Sequence, residues 1–199
     1  MGTLRRPLLL LCHVAYFSWF YAEPMENQLR MAIREANVQD VNVLARVHAD
    51  VWASVFDGIA TGMSDDDASS SIGSISPATA DFVAGTYDRS LRHFTDVFAG
   101  KIPATVWLAI VDGQLAGFAA AEAKGPHEVR FLEVSLLYVL PEFHGRGVGS
   151  ALLQRAIGDA PAYVWTRSGL PQQFYEKHGF VADGTQSELA GMKTVRLIR

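Results

Sequence analysis

The stretch that most constrains this chain is Phe131 to Ser150, FLEVSLLYVLPEFHGRGVGS. Its first half is an apolar, β-branched and aromatic run of the kind that forms a buried strand. Pro141 cannot donate to a sheet ladder and stops it. Gly145, Gly147 and Gly149 follow at alternate positions, and Gly147 to Ile157 reads as a helix. The first N–H groups of a helix have no intrahelical partner, and the helix dipole adds partial positive charge at that end. Glycines let an anion come close to the backbone. The stretch therefore reads as a diphosphate cradle, with a plain tight turn as the blander reading. Two familiar cradles are excluded by spacing. There is no G-x-x-x-x-G-K-[ST], and the glycines run G-x-G-x-G where a dinucleotide fold has G-x-G-x-x-G.

The rest of the chain supplies a sheet for that loop. Ile33 to Glu35 is a short strand, and Asn37 can cap a helix whose first turn holds Gln39 and Asp40. Val41, Leu44, Val47, Val51 and Val55 recur at three- and four-residue steps, with Trp52 beside them as core filler or as a pocket wall. Gly58 is expected to end this helix. Thr61 to Thr86 holds Asp65-Asp66-Asp67 and several serines and reads as a surface loop. Its acidic triplet is either solvated or an attraction for a cationic substrate. Tyr87 to Phe98 returns to helical spacing. Thr105 to Val111 and Gln114 to Ala121 are strands joined by the turn signal Asp112-Gly113. Glu128 to Val139 continues the meander. Strand, helix and strand Ala162 to Thr166 then form a crossover, so the strands on either side of it should be parallel. A helix from Pro171 to His178 stops at Gly179, and Phe180-Val181 and Thr194 to Ile198 are the last strands. The fold class is α/β, with a mixed, mostly antiparallel central sheet of six or seven strands and flanking helices.

With 199 residues the chain can bury one sizeable core. A net charge of −4 without a basic stripe gives no case for nucleic acid. The single cysteine, Cys12, excludes an internal disulfide framework, and no Cys/His cluster has zinc-ligand spacing, so no metal is expected. These features describe a soluble, cytoplasmic domain. Residues 1–30 stand apart, because Pro7 to Ala22 is strongly apolar and follows Arg5 and Arg6. The run falls short of the roughly 20 residues of a spanning helix. It is read as a non-native extension ahead of a domain over residues 31–199; the alternative is a signal-like or membrane-associated segment through residues 7–22.

YVLPEFHGRGVGSALL resembles the acetyl-CoA-binding motif of the GCN5-related N-acetyltransferases, the GNAT family. That family's Arg/Gln-x-x-Gly-x-Gly/Ala falls on His144 to Gly149, with His144 departing from the usual Gln or Arg. A second family motif follows at Phe174-Tyr175-Glu176-Lys177-His178-Gly179-Phe180, and the resemblance spans about Met31 to Arg199. It implies direct transfer of an acetyl group from acetyl-CoA, the co-substrate, to a primary amine in a ternary complex. His144, Gly145, Arg146, Gly147, Val148, Gly149 and Ser150 would hold the diphosphate. The strand should part from its neighbour near Leu137, Tyr138 and Val139 and bind the pantetheine arm there. Tyr175 corresponds to the family's general acid; a phenol near pKa 10 is close enough to a thiol near 8.5 to protonate the leaving sulfur. Glu133 corresponds to the base of the histone-acetyltransferase branch, and its apolar neighbours Leu132 and Val134 suggest a raised pKa. Its other reading is an outward, solvated strand glutamate, and Glu122 and Ser135 are further candidates. Ser168 stands where many members carry a coenzyme-binding asparagine. The acceptor would be a small-molecule or peptide amine, and homodimers are frequent in the family. The alternative function is a catalytically silent CoA-binding sensor or interaction module of the same fold.

Overall fold

The computed structural model describes residues 30–60, 81, 84–189 and 192–199, with the side chains of 54–60 left out. The expectations for the apolar N-terminal run and most of the Ser/Asp tract lie outside the described residues. Among them no helix is long and apolar enough to cross a membrane.

Local chemistry accounts for the element boundaries. Strand β1 is Met31–Glu35. Asn37 then accepts a hydrogen bond from the Gln39 N–H, while Asp40 accepts one from the Asn37 N–H at 2.9 Å, a reciprocal cap that launches a short 3-10 turn. Arg34 clamps Asp40 through two bonds of 2.8 and 2.7 Å. Helix α1, Val41–Ala60, runs on past Gly58, so that glycine is interior and does not end the helix. Helix α2 is Thr86–Phe98. Strands β2, Ala104–Val111, and β3, Gln114–Ala123, are joined by Asp112 at φ 51° and Gly113 at φ 83°, the left-handed pair that a two-residue hairpin requires. Strand β4 is Leu132–Val139, helix α3 Val148–Ile157, strand β5 Ala162–Thr166 and helix α4 Leu170–Glu176. Strands β6, Val181–Leu189, and β7, Met192–Ile198, close the chain.

The seven strands form one sheet in the order β1-β2-β3-β4-β5-β7-β6, and only β4 and β5 pair in parallel. Alternation along the strands sends side chains to two cores. Val106, Leu108, Phe118 and Ala120 meet α1 and α2 through Leu44, Ala45, Phe94 and Val97. On the other face Ala109, Ala116 and Ala119 meet Val148 and Leu152 of α3, and Val134, Ala162 and Leu197 meet Leu153, Tyr175 and Phe180. Small residues on β3 let α3 lie close to the sheet. The loop between β4 and α3 is thus anchored at both ends in buried structure.

Candidate active site

The parallel strands β4 and β5 pair only at Leu132 with Ala162 and Glu133 with Tyr163. From Val134 onward β4 continues to Val139 and β5 to Thr166 without pairing to each other. The strands therefore part about one turn of pleat earlier than the sequence suggests, at 134 and not near 137. The cause is a bulge: Ala121 faces Val134 but Ala120 faces Leu136, so Ser135 is the extra residue. Its hydroxyl donates to the Ala120 carbonyl at 3.3 Å. Val134 consequently packs with Leu153 and Tyr175, while Leu136 and Tyr138 pack toward α1 and α2. On its other side β4 stays tied to β3 as far as Val139, because Gly117 presents no Cβ to the Tyr138 carbonyl oxygen, which would otherwise collide with it.

The loop closes the wide end of this wedge. Leu140 donates to Ala116 O, Phe143 buries its ring, and His144 N–H returns to Pro141 O. The His144 imidazole folds back so that Nε2 donates to the Val139 carbonyl at 2.8 Å. Gly145 and Gly147 have φ of 72° and 78°, left-handed values that side chains disfavour. Gly149 is helical and lies against α4: a Cβ there would sit 3.3 Å from the Phe174 ring, which would have to give by a few tenths of an ångström. The first backbone bond of the helix runs from Ala151 N–H to Gly147 O. Among the described residues, the N–H groups of Gly145 to Ser150 have no backbone acceptor. Arg146 is exposed, its guanidinium 5.7 Å from the Phe143 ring centroid. The geometry of this loop fits a diphosphate: unsatisfied donors, positive-φ glycines and a free cation at one helix start.

Helix α4 packs over α3. Phe174 touches Gly149, and His178 bonds both Phe174 O at 2.7 Å and Ser150 Oγ at 3.0 Å. Tyr175 is buried against Phe174 and Phe180, with ring centroids 5.1 and 5.6 Å away. Burial, and secondarily the Tyr138 phenol, pushes the Tyr175 phenol up, so it holds its proton across the physiological range. Burial likewise pushes Tyr138 up to about 12, although Trp52 and the Arg167 charge pull the other way. Ser168 lies exposed in the turn between β5 and α4.

Glu133 is not surrounded by apolar groups, as its sequence neighbours suggest. Lys124 Nζ lies 2.7 Å from its Oε2 and 2.9 Å from Glu122 Oε2, and Tyr163 OH donates to Glu133 at 3.2 Å. At the narrow end of the wedge Lys124, Glu122 and Glu133 are partly buried and Tyr163 is buried. Burial alone would lower the Lys124 ammonium, but its hydrogen bonds to Glu133 and Glu122 outweigh that and raise it. The second group missed by the sequence reading is His48. Ser90 Oγ donates to Thr86 O, so His48 Nδ1–H donates to Ser90 at 2.7 Å and Nε2 accepts from Trp52 at 2.8 Å. This neutral ring lies 4.9 Å from the Tyr138 ring. Nothing in a lone helical histidine between apolar residues announces that network; the signal was only its four-residue spacing to Trp52.

Residues 103–182 match the Acetyltransferase (GNAT) domain family. Uncharacterized N-acetyltransferases of Mycobacterium bovis and Mycobacterium tuberculosis are 32% identical over 84 residues, covering 38% of this chain and 52% of theirs. The chain thus spans about half the length of the curated relatives it matches. The PaiA N-acetyltransferase of Thermoplasma acidophilum in complex with coenzyme A has a TM-score of 0.59 at 17% identity, over 84% of this chain and 98% of that one. An N-acetyltransferase of Staphylococcus aureus has a TM-score of 0.55 at 15% identity, over 84% and 100%. Salmonella typhimurium YncA with its cofactor acetyl-CoA has a TM-score of 0.52 at 16% identity, over 85% and 92%. Residues 103–182 thus match the GNAT acetyltransferase domain, and the described sheet and helices share the fold of these solved acetyltransferases.

Proposed function

We propose that this protein is an acetyl-CoA-dependent N-acetyltransferase that transfers the acetyl group directly to a primary amine bound beside the coenzyme. The observation that carries this reading is the parting of β4 from β5 at Val134, with the donor-rich start of α3 beside Val139 at the far end of the opened strand. Bound acetyl-CoA would supply the reactive thioester. N–H groups of Gly145 to Ser150, with Arg146, would hold the diphosphate. The free edge of β4 from Leu137 to Val139 would pair with the pantetheine amides as an added strand and offer N–H donors to the thioester oxygen. Ser168 would meet the arm from the opposite strand end.

Tyr175 would hold the proton that the departing sulfur takes. Its burial argues for donation only as charge builds on the sulfur, since a phenol raised in this way gives up its proton reluctantly. Glu133 would accept the amine's proton, as a carboxylate paired with Lys124. Glu122 and Glu133 together outnumber their one lysine, which favours approach of an amine that arrives as a cation. Incubation with acetyl-CoA and a panel of amines, following free thiol, tests the reading. Thiol release with at least one amine is expected. Coenzyme-dependent thermal stabilisation with no thiol release on any amine would replace it with a CoA-binding module of the same fold.

A further inference from the structure

His178 lies outside the loop and has no role in the scheme above, yet it reaches the start of α3. Its two ring nitrogens have different partners. Nδ1 is 2.7 Å from Phe174 O, a carbonyl that can only accept, so Nδ1 carries a proton. In the neutral ring Nε2 is then an acceptor, and the hydrogen bond at 3.0 Å runs from the Ser150 hydroxyl to it. The ring is held in this pose by Phe174, at 4.5 Å between centroids, and Phe174 is itself seated on Gly149. Ser150 has one hydroxyl proton. While it points at Nε2, the oxygen offers a diphosphate only lone pairs, which repel an anion.

From this geometry we infer that His178 is a positioning residue for coenzyme binding: it sets the direction of the Ser150 hydroxyl, and its protonation turns that hydroxyl toward the diphosphate. A protonated ring donates from Nε2 to Ser150 Oγ, and the hydroxyl proton is released to donate to a phosphate oxygen. One proton from solvent forms the Nε2–H bond of the imidazolium; no other covalent bond changes. The inference rests on the coenzyme reading of the loop.

Other charged groups near His178 do not substitute for this switch. Glu176, the last residue of α4, and Lys177, which caps that helix, are its exposed neighbours, and Glu176 is engaged by Gln172 at 2.7 Å. Arg199, at the end of β7, donates to His178 O at 3.4 Å and to Gly158 O at 2.6 Å, and stays charged throughout. On α3 the one charged residue, Arg155, is turned onto the Trp107 ring at 4.3 Å. His144 and Arg146 lie on the loop, and the His144 imidazole is bonded to Val139 O.

The inference is read out as proton-linked binding. Coenzyme A affinity is measured calorimetrically at about pH 6 and about pH 8 for the wild type, His178→Gln and Ser150→Ala, in buffers of different ionisation enthalpy. The wild type is expected to gain about fivefold more affinity on acidification than either variant, with net proton uptake on binding. Contributions from the coenzyme's own phosphates and from His144 occur in all three proteins and cancel in the comparison. Thermal melting of each variant verifies its fold, and Ser150→Ala, which leaves the ring in place, separates the hydroxyl relay from simple charge attraction. Equal pH dependence in the three proteins overturns the inference and leaves the coenzyme reading standing. No coenzyme binding at either pH overturns both.

Discussion

His144 Nε2 donates to the carbonyl of Val139 across 2.8 Å, tying the first residue of the glycine loop to the last residue of β4. The side chain braces the loop against the strand that leads into it. Removing it in His144→Ala should loosen the loop where the diphosphate would bind. Coenzyme A affinity is expected to fall about fivefold, the worth of one hydrogen bond of about 1 kcal/mol. His144→Gln, whose amide can still donate, should lose less. Calorimetric affinities that match the wild type in both variants would remove His144 from the site.

Gly117 carries the contact between β3 and the working end of β4. A Cβ there would meet the backbone oxygen of Tyr138, which cannot swing aside as a side-chain tip would. Gly117→Ala is therefore expected to cost about 2–3 kcal/mol in denaturant unfolding. Gly145→Ala has open space around the new methyl group and only its φ of 72° to oppose it, so about 1–2 kcal/mol is expected. A larger loss at 145 than at 117 would contradict this account.

Tyr175→Phe keeps the ring packed against Phe174 and Phe180 and removes only the hydroxyl. If the phenol supplies the proton to sulfur, turnover should drop about a hundredfold while coenzyme affinity changes little. Steady-state rates beside binding isotherms measure both. An unchanged turnover takes Tyr175 out of the mechanism and leaves it as core.

Lys124 stands between two carboxylates that face each other across β3 and β4, Glu122 and Glu133. Lys124→Met removes the cation and leaves the like charges opposed. If Glu133 accepts the amine's proton, turnover should fall about a hundredfold in Glu133→Gln and less in Lys124→Met. Steady-state turnover equal to the wild type in Glu133→Gln assigns proton acceptance elsewhere.

His48 ties acid stability to the wall beside Tyr138. Burial, then the nearby charges of His93 and Arg89, lowers its imidazole to about 4 from an ordinary 6.5. The unfolded chain therefore binds a proton below about pH 6.5 that the folded chain refuses until about pH 4. Unfolding free energy should fall across that window as pH drops, by on the order of 3 kcal/mol from this ring. His93, also lowered by burial, adds in the same direction. The component from His48 should be missing in His48→Gln, whatever that variant's stability at neutral pH. Parallel stability curves for the two proteins would refute the assignment.

The features legible from sequence were those set by local backbone chemistry. Asn37 and Asp40 form a cap wherever they precede a helix, Asp112-Gly113 makes a hairpin turn, and Gly145 and Gly147 permit a left-handed loop. The order of strands and helices followed from apolar periodicity, and the two motifs located the loop and Tyr175. Boundaries were less legible. Gly58 lies within α1, because a single glycine costs a long helix only about 1 kcal/mol, and the helix continues through it.

What only the tertiary structure decided was which side chains meet across elements. One bulge at Ser135 sets where β4 leaves β5, and a shift of one residue in a strand exchanges its faces. Glu133 finds Lys124, His144 finds Val139 and His178 finds Ser150 only once register and helix packing are set. Gly149 was visible as a glycine, but its reason, the Phe174 ring from a helix more than twenty residues on, was not. A sequence states which groups a loop can expose. Distances of a few ångströms between distant segments depend on the summed geometry of every strand between them, and that is where the chemistry of this site is settled.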